Sequence, residues 1–383
     1  MEESKIIKAT TTQLPPCCLR IVDNEYILVG SYHLDKPSGK RTGLMEIFDR
    51  NLELTNSYPT YGAILDLKLS PFDTNLVATA HSTGNVTVWK FTLTKDKKSV
   101  ELRQLGNLQV FDVNILVTSL QFSPLDSRIL LATNTLGTSA IIDLVDESVT
   151  FSIDSTATTY QRLVKTSYNV QGSFENAMEV KARKFAGKHA LECWTGEFGQ
   201  LQPLQNVVFT GGDDATIMAH DLRTKATVWS NNRIHEAGVV GIKTSSPTFR
   251  NSKSTSIITG SYDDKIRSLD LRMLGDDIYP GHNTPVAKQW DCDLGGGVWR
   301  FSEMPSNLTR TFSEAPSNSN KLLVCCMYNG AKVVDVAEDS EDMFRVTNYL
   351  KKGHESMCYG GDWCTDFIAT CSFYDNSLQI WNL

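Results

Sequence analysis

The 383-residue chain has no run of about 18 apolar residues, the length that a membrane-spanning helix needs. Its first residues, MEESKIIKAT, hold no apolar segment of the secretory kind, so a cytoplasmic protein is expected. It has no CxxC pair, and Cys17–Cys18 and Cys325–Cys326 are adjacent residues, useless as tetrahedral metal clips. The nine cysteines are therefore expected as thiols in a reducing compartment, with no metal bound. There is no GxSxG elbow, no HExxH and no GxxxxGK[ST] loop. GGGVWR (295–300) is not followed by a helical pattern, which argues against a dinucleotide site. No cofactor is expected. Basic charge is also in deficit: the formal net charge of −7 speaks against tracking nucleic-acid phosphates. What remains, 41% hydrophobic and 21% charged residues, suits a soluble protein with a large core.

What the chain does have is repetition. VVFTGGDDATIMAHDLR (207–223), IITGSYDDKIRSLDLR (257–272) and IATCSFYDNSLQIWNL (368–383) follow one pattern: a β-rich run, a Gly/Asp turn, a second run and an end marker. Asp214, Asp263 and Asp375 stand at matching distances before Asp221, Asp270 and Asn382. Fainter copies occupy 26–49, 76–90, 129–144 and 322–336, giving seven strand pairs. Several follow another short strand that ends near Ser-Pro, as in ILDLKLSP (64–71) and VTSLQFSP (117–124). This order resembles the WD40 repeat, and seven copies imply an all-β, seven-bladed WD40-type β-propeller formed as one domain over 1–383. Polar insertions lengthen it near 155–188, 272–288 and 304–321. The last copy has only three strands, so the β-branched segment KIIKATTTQ (5–13) is expected to supply the fourth and close the ring.

His189, His235 and His354 open the clearest blades. In WD repeats such a His forms a buried network with the turn Asp, a Ser or Thr and a Trp. His354, Asp375 and Trp381, with Cys371 in the Ser/Thr place, are assigned to the last blade. His189, Thr210 and Asp214 are assigned to the fourth, with His220 for Trp. His235, Thr259 and Asp263 belong to the fifth, with Leu269 for Trp. Residues outside this grammar are better candidates for chemistry: Asp213 and Asp264, Tyr262 and Tyr374, the glycine-rich GGGVWR, and YGGDW (359–363). In a propeller their loops gather on one face around the central channel. Two classes stay open on these residues alone, a catalyst and a non-catalytic adaptor for protein assembly or trafficking.

HALECWTG, VVFTGGDDA, ITGSYDD, GGGVWR, LLVCCMYNG, YGGDW and ATCSFYDN, in that order, resemble the WD-repeat diphthine methylesterase family of eukaryotic diphthamide biosynthesis. The likeness covers roughly 189–383; the first half matches as generic WD repeats. The resemblance implies hydrolysis of the methyl ester on methylated diphthine, a trimethylammonium-bearing histidine side chain of translation elongation factor 2. The products are diphthine and methanol, and the enzyme is expected to act as a monomer. Aromatic faces for the cation are then sought in Tyr262, Trp299, Tyr359, Trp363 and Tyr374, with charge from Asp213, Asp264 and Asp362. His235 or Asp362 is the expected base. Arg300, or the amides of Gly295, Gly296 and Gly297, are the expected donors to the developing oxyanion.

Overall fold

A computed structural model describes residues 2–93, 100–146, 149–150, 178–180, 182–274, 277–278, 281–305, 320–337 and 343–383. Most of the expected insertions at 155–188 and 304–321, and part of that at 272–288, lie outside the described residues. The described chain is all-β apart from one 3-10 turn, Leu204–Asn206. Seven antiparallel sheets follow one another, each numbered here as a blade. Their innermost strands are Pro16–Val22, Ile64–Leu69, Val117–Phe122, Cys193–Phe198, Val239–Thr244, Arg300–Glu303 and Cys358–Trp363, for blades 1 to 7.

Blade 7 is built from both ends of the chain. Ile6–Thr11 lies antiparallel to Ser377–Trp381, outside Ile368–Ser372 and Cys358–Trp363. Glu2–Glu3 reaches further and pairs in parallel with Phe344–Leu350 of blade 6. The N-terminal dozen residues thus cover two sheet edges that would otherwise expose unpaired backbone.

The core is distributed between blades. Seven separate clusters of buried apolar residues occupy the seven interfaces between neighbouring blades. Leu19, Val29, Ala369 and Ile380 join blades 1 and 7, for example, and Phe209, Ile217, Ile257 and Leu269 join blades 4 and 5. No blade buries its faces alone, as expected of a repeat architecture. An eighth cluster, Val240, Trp299 and Met327 with Trp194, Tyr262, Met357 and Tyr359, belongs to no single interface.

The blade networks form inside the sheets. His354 Nε2 lies 2.8 Å from Thr370 Oγ1, which also accepts the Trp381 indole N–H at 3.1 Å. Thr370, not Cys371, therefore holds the hydroxyl place, because it is the residue whose side chain turns toward the His. Asp375 accepts the Glu355 backbone N–H at 2.8 Å. In blade 4 His189 bridges Asp214, at 3.1 Å, and Thr210, at 2.9 Å; His220 contacts the same Thr210 hydroxyl at 2.9 Å. In blade 5 His235 contacts Thr259 at 2.9 Å, and Asp263 accepts Arg267 at 2.8 Å. Leu269 cannot donate to Thr259, and Arg267 takes up Asp263 instead, so the expected His–Asp contact is absent: His235 Nδ1 has no partner among the described residues, and neither has His354 Nδ1 in blade 7.

Deletion of residues 1–14 is expected to lower the single melting transition of the whole protein by about 10 °C or more. A truncated chain that melts with the full-length one by circular dichroism contradicts closure by the N-terminal strand.

Candidate functional site

Six of the seven innermost strands carry a register slip near their start. One residue is left unpaired there: Cys17, Leu65, Thr118, Trp194, Val240 and Tyr359 in blades 1 to 5 and 7. In blade 6 Trp299 holds the same place, just before Arg300–Glu303, with its N–H donating to the Cys325 carbonyl at 2.9 Å. A bulge frees a side chain from the alternation of the pleat and re-aims it. Six slips and the equivalent position in blade 6 therefore set a ring at one mouth of the channel, and three of its members are aromatic.

Around this ring the aromatics gather. The Trp299 ring centroid lies 5.0 Å from that of Tyr359, 5.8 Å from Trp194 and 5.9 Å from Tyr262, the last stacked. The series runs outward through Phe373, 5.5 Å from Tyr359, to Tyr374, which is 74% exposed at the rim. Tyr32 of blade 1 meets Phe373 from the other side. Asp213 accepts the Trp194 indole N–H at 3.1 Å, placing a carboxylate at the edge of the cluster. Asp264 occupies the left-handed turn position, φ +66°, that Ala215 and Asn376 hold in their blades, and Tyr328 leans toward it. Burial raises the Asp264 carboxyl, and the nearby Asp293 adds to the effect. Burial likewise lifts the phenols of Tyr262 and Tyr359, so both present neutral rings.

The glycines of GGGVWR make room for these rings. A side chain at Gly297 would stand 2.5 Å from the Met327 sulfur, and one at Gly296 would stand 2.3 Å from the Cys326 carbonyl. Gly295 has φ +69° and gives its N–H to Asp293 at 2.6 Å. Their role here is close packing.

Beneath the mouth the channel turns polar. The residue after each bulge includes Asp66, Ser119, Thr195 and Arg300; two residues further stand Arg20, Lys68, Gln121, Glu197, Lys243, Ser302 and Asp362. Asp66 is the centre of the upper level. Its carboxylate accepts from Lys68 at 2.9 and 3.0 Å, from the Leu67 N–H at 2.9 Å, and from Ser119 and the Leu120 N–H at 3.1 Å. Arg300 reaches it from blade 6, also at 3.1 Å. Burial works against the Asp66 charge, but Arg300 and then Lys68 outweigh it and hold the carboxyl well below the usual range. Burial brings Lys68 down to about 8 despite Asp66, with Arg300 and Arg20 pushing the same way. Burial raises Glu197, although Lys243 opposes this.

A cavity of about 300 Å³ follows this belt. It runs from Trp299 and Val240 to Pro71, Pro124 and Gln200, in the turns after the innermost strands, and so toward the opposite face from the aromatic mouth. Trp299 and Arg300 stand at the junction of mouth and cavity, the guanidinium carbon 5.5 Å from the indole centroid. Two donors here are enclosed and lack an acceptor among the described residues: Trp299 Nε1 and Arg300 Nε. A buried unpaired donor costs about 1–3 kcal/mol.

The structure brings together Asp213, Tyr262, Trp299, Tyr359 and Arg300, with Asp264 and Tyr374 at the rim. It sets two expected residues elsewhere, His235 and Trp363, and one, Asp362, deeper in the channel. His235 is enclosed in blade 5 against Thr259, its pKa pushed down to about 3 by burial and by Arg267. Trp363 is buried at the far end of its strand, donating to the Glu303 carbonyl at 2.6 Å, and takes no part in the mouth. Asp362 lies in the channel wall, where it accepts from Ser302 at 2.7 Å and from the Ile21 N–H at 2.9 Å. The sequence reading missed Trp194, Met327, Met357, Phe373 and Asp66. Trp194 stood in the quoted HALECWTG, and its place after Cys193 matches Tyr359 after Cys358.

No family model matches the chain. It is 56% identical over 385 residues to the diphthine methyltransferase of Saccharomyces cerevisiae, covering 100% of this chain and 99% of that one. It is 30% identical over 390 residues to the diphthine methyltransferase of Schizosaccharomyces pombe, with the same coverage. The human protein of that name is 29% identical over 178 residues, 46% of this chain and 32% of its own. A chain from a crystal structure of the mitotic checkpoint complex superposes with a TM-score of 0.64 over 100% of this chain and 93% of its own, at 10% identity, a likeness of fold alone.

His81, His220, His235 and His354 all have burial-depressed values, of about 4, 3, 3 and 4 against an ordinary 6.5. Unfolding lets each take up a proton below 6.5, so their stabilising contribution is complete above that pH and is lost toward 4. The melting temperature is expected to fall steadily from pH 6.5 to 4. A flat profile across that window contradicts the buried neutral networks.

Proposed function

This chain belongs to the diphthine methyltransferase family, and from that premise we propose that it is a hydrolase for the methyl ester of methylated diphthine on elongation factor 2, acting in the cytoplasm. One observation carries the reading: an aromatic and acidic mouth stands directly above a buried, fixed arginine. The substrate side chain has the matching pair of features, a trimethylammonium group and, on the same carbon, an ester carbonyl. Aromatic faces attract a quaternary ammonium by about 0.5–2 kcal/mol each, more when water is excluded. Trp194, Trp299, Tyr262 and Tyr359 supply those faces, and Asp213 adds Coulomb attraction. The ester then faces the channel, toward Arg300.

The chemistry is written as follows. A water oxygen bonds to the ester carbonyl carbon, and its proton passes to Asp362, directly or through one further water. Asp362 stands two residues along the neighbouring strand from the level of Arg300, roughly 7 Å. Its two hydrogen bonds leave acceptor capacity, since a carboxylate has about four lone-pair sites. Arg300 stabilises the oxyanion. The carbon–methoxy bond then breaks, the proton on Asp362 leaves with methoxide as methanol, and the carboxylic acid ionises. His235 has no part in this step, being neutral and enclosed.

Purified protein incubated with methyl-esterified elongation factor 2 is expected to remove one methylene in mass per modified side chain and to release methanol, equally with and without S-adenosylmethionine. Arg300→Ala is expected to reduce the rate by about 10²-fold or more, and Trp194→Ala to raise KM by about tenfold. A mass gain that needs the methyl donor assigns the protein to methyl transfer; no mass change leaves it as an adaptor. Either overturns the proposal.

A further inference from the structure

Most donors in a folded protein find acceptors once buried, and each exception asks for a reason, a catalytic role among them. Among the described residues such atoms are scattered through several blades, His235 Nδ1 and Arg267 Nε for example, but two fall on consecutive residues that line the channel. Each terminal nitrogen of Arg300 has a partner, one in Asp66 at 3.1 Å and one in the Leu65 carbonyl at 3.4 Å, whereas its enclosed Nε–H has none among the described residues. The guanidinium cannot swing to use it elsewhere while Asp66 holds it. The Trp299 indole is fixed as firmly, packed by Tyr359, Tyr262 and Trp194, and its Nε1–H is likewise unpaired among the described residues. Both side chains line the same cavity.

We propose that Trp299 Nε1–H and Arg300 Nε–H together grip the ester carbonyl oxygen and hold the oxyanion that forms there. This rests on the ester-hydrolysis reading and deepens it: the tryptophan is a catalytic residue by its N–H as well as a binding face by its ring. As the water oxygen bonds to the carbonyl carbon, the carbonyl π pair moves onto oxygen between the two donors. It returns when the carbon–methoxy bond breaks, so neither donor gives up its proton. Both donors are enclosed in the resting structure. The rings over the indole must therefore part, and a trimethylammonium group inserted among them does this in the same event that delivers the carbonyl.

Trp299→Phe removes the N–H and keeps a smaller aromatic face, with Trp194, Tyr262 and Tyr359 still in place for the cation. Its kcat on the methyl-esterified factor is expected to fall about 10- to 100-fold with KM within about twofold of wild type. A trimethyllysine peptide, which has the cation but no ester at that place, is expected to bind the two proteins within about the same twofold. In ¹⁵N-tryptophan-labelled wild type, the indole N–H resonance that Trp299→Phe removes is expected to move clearly further downfield with the carboxylate product, which accepts from it, than with the trimethyllysine peptide, which only covers the ring. Unchanged kcat in a folded Trp299→Phe protein, or an indole resonance that ignores the product, overturns the donor role and leaves hydrolysis standing. Wild-type protein that removes no methyl ester overturns the underlying reading instead.

Discussion

One carboxylate spans the channel. Asp66 gathers its own blade through Leu67 and Lys68, the next blade through Ser119 and Leu120, and the far wall through Arg300. Blades 2 and 6 are not neighbours in the ring, so the Asp66–Arg300 contact is a strut across it. Removing one member of such a buried pair leaves an uncompensated charge, typically at about 3–5 kcal/mol. The strut also fixes the guanidinium below Trp299, and the aromatic mouth packs on Trp299. Stability of the ring and geometry of the site thus depend on the same oxygen atoms.

Repetition made the architecture legible. A strand pair, a Gly/Asp turn and an end marker are local signals, and seven of them imply a ring before any long-range contact is known. The His–hydroxyl pairs were legible for the same reason, down to His220 in the place of Trp, although Thr370 rather than Cys371 completes the last one and the His–Asp contact forms in blade 4 but not in blades 5 and 7. The mouth was only half legible. Trp299 and Tyr359 stood beside conspicuous glycines, whereas Trp194 becomes meaningful only when the seven innermost strands are laid side by side. Asp66 lies in an unremarkable ILDLKLSP, and its partner is more than half the chain away; no pattern within one repeat reports a contact across the channel. Trp363 and His235 were misleading because neighbours in sequence along a strand face opposite sides of the sheet, or lie at opposite ends of it. Trp363 follows Asp362 and is four residues from Tyr359, yet it packs at the other end of the blade.

The two ends of the channel differ in chemistry. The mouth is apolar and aromatic with acids at its edge; the belt beneath is charged and closely paired, with Lys68 on Asp66 and Lys243 on Glu303. Trp299 and Arg300 divide them. On the proposed ester-hydrolysis reading, the substrate is cationic at one atom and electrophilic two bonds away, and that boundary offers a partner to each part. All nine cysteines are free thiols, and burial pushes Cys17, beside Arg300, up to about 12. That thiol is a poor nucleophile, which favours attack by water.

The most direct measurement is a crystal structure of the full chain with a peptide bearing the carboxylate product, the trimethylated side chain after ester cleavage. The account predicts the ammonium nitrogen within about 6 Å of the Trp299 and Trp194 ring centroids, with a carboxylate oxygen between Trp299 Nε1 and Arg300 Nε. A product seated at the opposite end, against Pro71, Pro124 and Gln200, with the aromatic mouth closed, would contradict it.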